Sequence, residues 1–86
     1  MALPPHLWSQ VKNLTAAELR RALERDGYVL EGARGAVLGF YKAASPPRRV
    51  TIHFHPQKTY GPKLLQALLK DAGWTEEDLR RLKLVK

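Results

Sequence analysis

His53 and His55 stand two positions apart in Val50-Thr51-Ile52-His53-Phe54-His55, a segment whose apolar residues fall at 50, 52 and 54. A period of two is the pattern of a strand buried on one face. It sets both imidazoles on the other face, with Cβ atoms about 6–7 Å apart. Two imidazoles at that spacing can bracket a phosphate, one acting as base and the other as acid near neutral pH. With an arginine or lysine to steady the phosphorane, such a pair can serve phosphodiester cleavage, in which the base takes a 2′-hydroxyl proton and the oxygen attacks phosphorus; the alternative is two solvated histidines on a pleated surface. His53 and His55 are therefore the candidate catalytic residues. A metal site is not expected, because two imidazoles need a further ligand. Only Glu31 offers one from the sheet segment, and no spacing pattern supports it. No cofactor is implied.

The cations that would hold RNA are unevenly distributed. The 86 residues carry a net charge of +7. Residues 27–63 hold six basic groups (Arg34, Lys42, Arg48, Arg49, Lys58 and Lys63) against Glu31 alone. The segments before and after are each close to neutral. A polyanion is attracted to such a patch. Arg34, Lys42, Arg48, Arg49 and Lys58 are the expected phosphate contacts around the open sheet face. Tyr41 is expected there as a stacking ring for an unpaired base.

The elements that must position these groups follow from local signals. Thr15 and Glu18 form a capping box opening a helix that runs to about Asp26, with Leu19, Ala22 and Leu23 inward and Arg20, Glu24 and Arg25 outward. Tyr28–Glu31 reads as a short strand, and Gly32–Gly35 as a turn or small loop. Ala36–Lys42 reads as a second strand, in which Gly39 marks a bulge or a close approach. Ser45-Pro46-Pro47 breaks the chain before a third strand over Arg48–His55. Pro62–Ala72 reads as a helix with Leu64, Leu65, Leu68 and Leu69 inward, closed by Gly73. Thr75–Asp78 caps a short last helix, and Leu7, Trp8 and Val11 anchor another near the start. Short connections favour an antiparallel sheet. The expected fold is α+β: one domain over 1–86, core about 14–73. It is a three-stranded antiparallel sheet with helices on one face, the α-β-β-β-α layout of double-stranded-RNA-binding-like domains, plus short terminal helices.

Several classes drop out. There is no cysteine, so disulfide frameworks and thiolate metal sites are excluded. No apolar stretch approaches the ~20 residues of a membrane helix. The first residues lack the basic start and apolar run of a signal peptide, and a cytoplasmic location is expected. No phosphate-binding glycine loop, nucleophile elbow or paired His-Glu helix motif occurs.

An ordered set of residues carries a resemblance. It comprises Glu18-Leu19 and Leu23, Gly27-Tyr28, Arg34-Gly35, Phe40, Val50-Thr51-Ile52, His55, Lys58, Pro62, Leu65, Leu69 and Ala72-Gly73. Over roughly residues 16–73 the chain resembles the HicA toxin family, small RNA-cleaving partners in bacterial toxin–antitoxin pairs. The resemblance implies the same dsRBD-like fold, RNA as substrate and a protein antitoxin as partner. It also implies a catalytic histidine in a Gly-Ser-His signature opening the second strand. This chain reads Gly35-Ala36-Val37 there, and valine has no proton to exchange. The expected function is thus RNA binding with impaired or absent cleavage. One alternative is a protein-interaction module or antitoxin-like partner without RNA activity. Another is a ribonuclease with a rebuilt site at His53 and His55. Open strand edges also allow a homodimer.

Overall fold

The computed structural model describes residues 3–86. Seven elements follow one another: helices α1 (Pro5–Val11) and α2 (Ala16–Arg25), strands β1 (Val29–Arg34), β2 (Val37–Lys42) and β3 (Arg48–His53), and helices α3 (Pro62–Ala72) and α4 (Glu76–Arg81). The strands form one antiparallel sheet in the order β1-β2-β3. This is the expected α+β arrangement.

Local chemistry sets the helix ends. The Glu18 N–H donates to the Thr15 hydroxyl (3.2 Å), and the Thr15 N–H donates to the Glu18 carboxylate (2.9 Å). Thr75 and Asp78 repeat the arrangement at α4. The box satisfies backbone donors that the first helical turn leaves unpaired. α2, α3 and α4 also finish alike. The N–H groups of Tyr28, Trp74 and Leu84 reach back to the carbonyls of Leu23, Leu69 and Leu79. The preceding residue is left-handed each time: Gly27, Gly73 and Lys83. This is the Schellman closure, and only at α4 does a residue with a Cβ bear its strain.

The core lies on one side of the sheet. Leu38 and Phe40 of β2 and Val50 and Ile52 of β3 are buried with Leu19 and Leu23 of α2 and Leu65, Leu68 and Leu69 of α3. α1 contributes Leu7 and Val11, and α4 contributes Leu79. Burying a side chain of this size is worth roughly 1.5–3 kcal/mol, so these contacts dictate which sheet face is covered.

The structure corrects several sequence expectations. β1 runs on to Arg34, and the turn shrinks to Gly35-Ala36, with Gly35 at φ +59° supplying the positive angle a two-residue hairpin needs. The bulge lies in β1, between Leu30 and Gly32, and not at Gly39. β3 ends at His53, two residues early. Leu64 is 49% exposed, because Leu65, Leu68, Leu69 and Ala72 form the buried stripe of α3. Arg20 does not simply point outward: its guanidinium lies 5.0 Å from the centre of the Phe54 ring.

Candidate nucleic-acid interface

Residues paired across antiparallel strands share a face. The registers therefore write three rows across the uncovered side of the sheet. One row is Arg34, Val37 and His53; the next is Gly32, Gly39 and Thr51; the third is Val29, Tyr41 and Arg49. Arg34, Arg49, Thr51 and His53 are exposed, and Val37, Gly39 and Tyr41 are half-buried. The bulge matters for the first row. Leu30 pairs with buried Phe40 and Gly32 with Gly39, so the side-chain parity of β1 switches between them. Without that switch, Arg34 would share the face of Leu30.

His53 lies directly across from Val37. The Phe54 N–H donates to the Ala36 carbonyl at 2.6 Å. Ala36 and Phe54 thus form a hydrogen-bonded pair, and Val37/His53 is the adjacent non-hydrogen-bonded pair, in which side chains come closest. The strand end is fixed from below: the buried Tyr60 donates its hydroxyl to the His53 carbonyl at 3.0 Å. Burial pushes the Tyr60 phenol above its ordinary pKa, so it keeps the proton it donates.

In the third row the Arg49 guanidinium stacks over Tyr41, 4.9 Å from the ring centre. The same side chain donates to the Glu31 carboxylate at 3.3 Å. Tyr41, Arg49 and Glu31 thus brace one another, and Tyr41 already carries a cation on its ring. Between this assembly and the first row lies a shallow depression. Its lining is Glu31, Gly32, Ala33, Arg34, Val37, Gly39 and Thr51.

Two expected phosphate contacts lie on the other side. Lys42 and Arg48 pair with each other at the sheet end. They share the parity of Phe40 and Val50, so they turn toward the helices. The Lys42 ammonium meets the buried Asp26 carboxylate at 3.2 Å. Asp26 also accepts hydrogen bonds from Trp74 Nε1 (2.8 Å) and from Arg81 (2.6 Å). Burial pushes the Asp26 carboxyl up, but these donors outweigh it and hold the pKa below the ordinary carboxylate value. Arg48 lies against Gly73, where any side chain would run into its guanidinium. That is the carboxyl end of α3, which favours a cation.

His55 and Lys58 lie beyond the end of β3. The chain leaves β3 through a turn closed by the Lys58 N–H on the His55 carbonyl (2.8 Å). The carbonyls of Pro56 and Lys58 then accept the Ala17 and Ala16 N–H groups at the start of α2. Both side chains are exposed on this pinned loop. His53 is thus the last residue of β3, and His55 lies two residues on, at the start of the loop that leads to α2's partner carbonyls at Pro56 and Lys58. The structure brings together Arg34, Tyr41, Arg49 and His53. It turns Lys42 and Arg48 to the opposite side and leaves His55 and Lys58 on the loop that follows β3.

Sequence reasoning missed Tyr60, the brace formed by Glu31, and the Asp26 cluster. Parity with Leu38 and Phe40 could have found the fate of Lys42. Nothing local marks Asp26, whose partners Trp74 and Arg81 lie 48 and 55 residues away. Among the described residues, no helix is long and apolar enough to cross a membrane.

The family model described as the HicA toxin of bacterial toxin-antitoxin matches residues 16–74. No curated protein matches the chain. The matched segment runs from α2 past the end of α3 and contains all three strands. The chain belongs to the HicA toxin family.

Proposed function

We propose that this HicA family member binds single-stranded RNA on the uncovered face of its sheet, as the RNA-directed component of a cytoplasmic toxin–antitoxin pair. Its cleavage activity is impaired, because Val37 stands where the family signature carries its histidine. The observation that supports the reading is the division of the cations. Arg34 and Arg49 flank an uncovered face that also bears Tyr41 and His53, whereas Lys42 is engaged on the covered side. Arginines placed this way position a phosphate backbone without reading its sequence. The bases of single-stranded RNA are free to stack on Tyr41 and Arg49. The implied protein partner is an antitoxin.

The test is a titration of the isotope-labelled chain with a short single-stranded RNA, followed by amide chemical shifts. The expected shifts centre on Arg34, Gly39, Tyr41, Thr51 and His53, with Lys42, Arg48 and Gly73 little moved. Shifts confined to the helices, or none at all, would remove the proposal.

A second reading is favoured by one observation, the non-hydrogen-bonded Val37/His53 pair. An imidazole on β3 reaches over the space beside position 37, so His53 takes the 2′-hydroxyl proton in place of the missing histidine. His55, on the neighbouring loop, is the group left to protonate the departing 5′-oxygen. RNA cleavage by the wild type, lost in His53→Ala and reduced in His55→Ala, supports this reading. No cleavage by the wild type, with cleavage appearing in Val37→His, supports impairment instead.

A further inference from the structure

Glu31 is the only carboxylate between residues 27 and 63. On a surface that attracts phosphates it works against binding, since it repels every phosphate that Arg34 and Arg49 draw in. Its position is nonetheless held. It sits at the β1 bulge, and Arg49 fixes one of its oxygens while lying on Tyr41. It borders the depression on the open face together with Arg34, Val37 and Thr51.

That depression has the capacity of a small ligand site. Its volume is about 340 Å³, at the lower end of the ~300–1,000 Å³ typical of such sites. The space exists because Gly32 and Gly39 face each other across β1 and β2. Neither glycine has a positive φ. A Cβ on Gly32 would meet nothing within 4 Å, and one on Gly39 would meet only the Gly32 carbonyl at 3.7 Å. Backbone conformation and packing therefore do not require them, although glycine weakens a strand. The rim carries a carboxylate, a guanidinium and a hydroxyl, from Glu31, Arg34 and Thr51.

We infer that Glu31 reads a base: the depression seats one unpaired guanine of a bound RNA, whose Watson–Crick donors meet the Glu31 carboxylate while its phosphate meets Arg34. The inference rests on the RNA-binding reading above. Guanine presents two adjacent donors, N1–H and the N2 amino group, which match the two oxygens of a carboxylate. Adenine and cytosine offer one amino group beside a ring-nitrogen acceptor, and uracil offers one N–H between two carbonyls. Each of those sets a lone pair against the carboxylate. Arg49 pairs with the carboxylate at the exposed surface and favours this side-chain position before the base arrives, which lowers the ordering cost of binding slightly. Thr51 can donate to or accept from the remaining base edge.

The experiment compares oligouridine strands that carry one central guanosine, adenosine, cytidine or uridine, by fluorescence anisotropy at fixed salt. The wild type is expected to bind the guanosine strand about tenfold more tightly than the others, the scale of a good two-point base contact. Glu31→Gln keeps the shape and is expected to erase that preference. Gly39→Val fills the depression and is expected to do the same, with an unfolding temperature no lower than that of the wild type. An increase in affinity for all four strands alike in Glu31→Gln would make Glu31 a repelling charge only and would overturn the inference. So would wild-type binding that ignores the central base, or a preference that survives both variants. Absence of binding to any strand would instead strike the RNA reading itself.

Discussion

Lys42 and Arg49 are basic residues on neighbouring strands, only one step out of register, and their fates are opposite. Lys42 turns to the helix side and is bound to Asp26; Arg49 turns to the open side and lies on Tyr41. The same division separates Arg48 from Arg34. One surface uses its cations to join β2 to the ends of α2 and α4, and the other presents them outward. Strand parity decides which charges are engaged against the helices and which stay exposed on the open face. Net charge alone does not distinguish them.

The comparison breaks first where burial is deepest. Asp26→Ala removes the acceptor for Trp74 and the counter-charge of Lys42, at a side chain only 5% exposed. The expected cost is about 2–4 kcal/mol, because the partly exposed Lys42 and Arg81 can regain water. Chemical denaturation measures it, and RNA affinity of the folded fraction should be unchanged. Acid should produce part of the same loss. The folded-state pKa of Asp26 lies below its ordinary value of 3.8. The stabilisation is therefore complete above the ordinary carboxylate range and is lost as pH falls below 3.8 through the folded value. Asp78 adds in the same direction, held down first by the Thr75 N–H. Stability measured from pH 6 to pH 2 should fall less steeply in Asp26→Ala than in the wild type.

Smaller changes sharpen the contrast. Tyr60→Phe removes the donor to the His53 carbonyl. It should cost about 1 kcal/mol and broaden the amide signals of His53, Phe54, His55, Gln57 and Lys58, because it loosens the end of β3 without touching the charges. Lys83→Gly relieves the one left-handed residue with a Cβ among the described residues. A gain of about 0.5 kcal/mol in unfolding free energy is expected, with RNA binding unchanged.

Much of the fold was legible because its signals are local. Thr15 with Glu18, Pro62 with Gly73, and Thr75 with Asp78 mark helix ends within a few residues. The apolar pairs 38/40 and 50/52 name the buried face of the sheet. The site was legible only in part. Alternation carried on from Leu38 and Phe40 puts Lys42 on the covered side, but it reads as a strand-end charge of the open face when its parity is not followed. Arg34 reaches the open face only through a bulge, and a single residue of slip cannot be read from composition. His55 was placed by extending the strand pattern two residues past His53, where β3 ends. Tyr60 and Asp26 act through tertiary contacts that no local pattern records.

The most direct test is the salt dependence of RNA affinity in paired variants. For single-stranded RNA each neutralised phosphate contributes about 0.7 to the slope of log affinity against log salt. Arg34→Ala/Arg49→Ala should lower the slope by about 1.4 and weaken binding, while Lys42→Ala/Arg48→Ala should leave the slope unchanged. A slope that falls only in the second pair, or equally in both, would contradict the assignment of RNA to the open face.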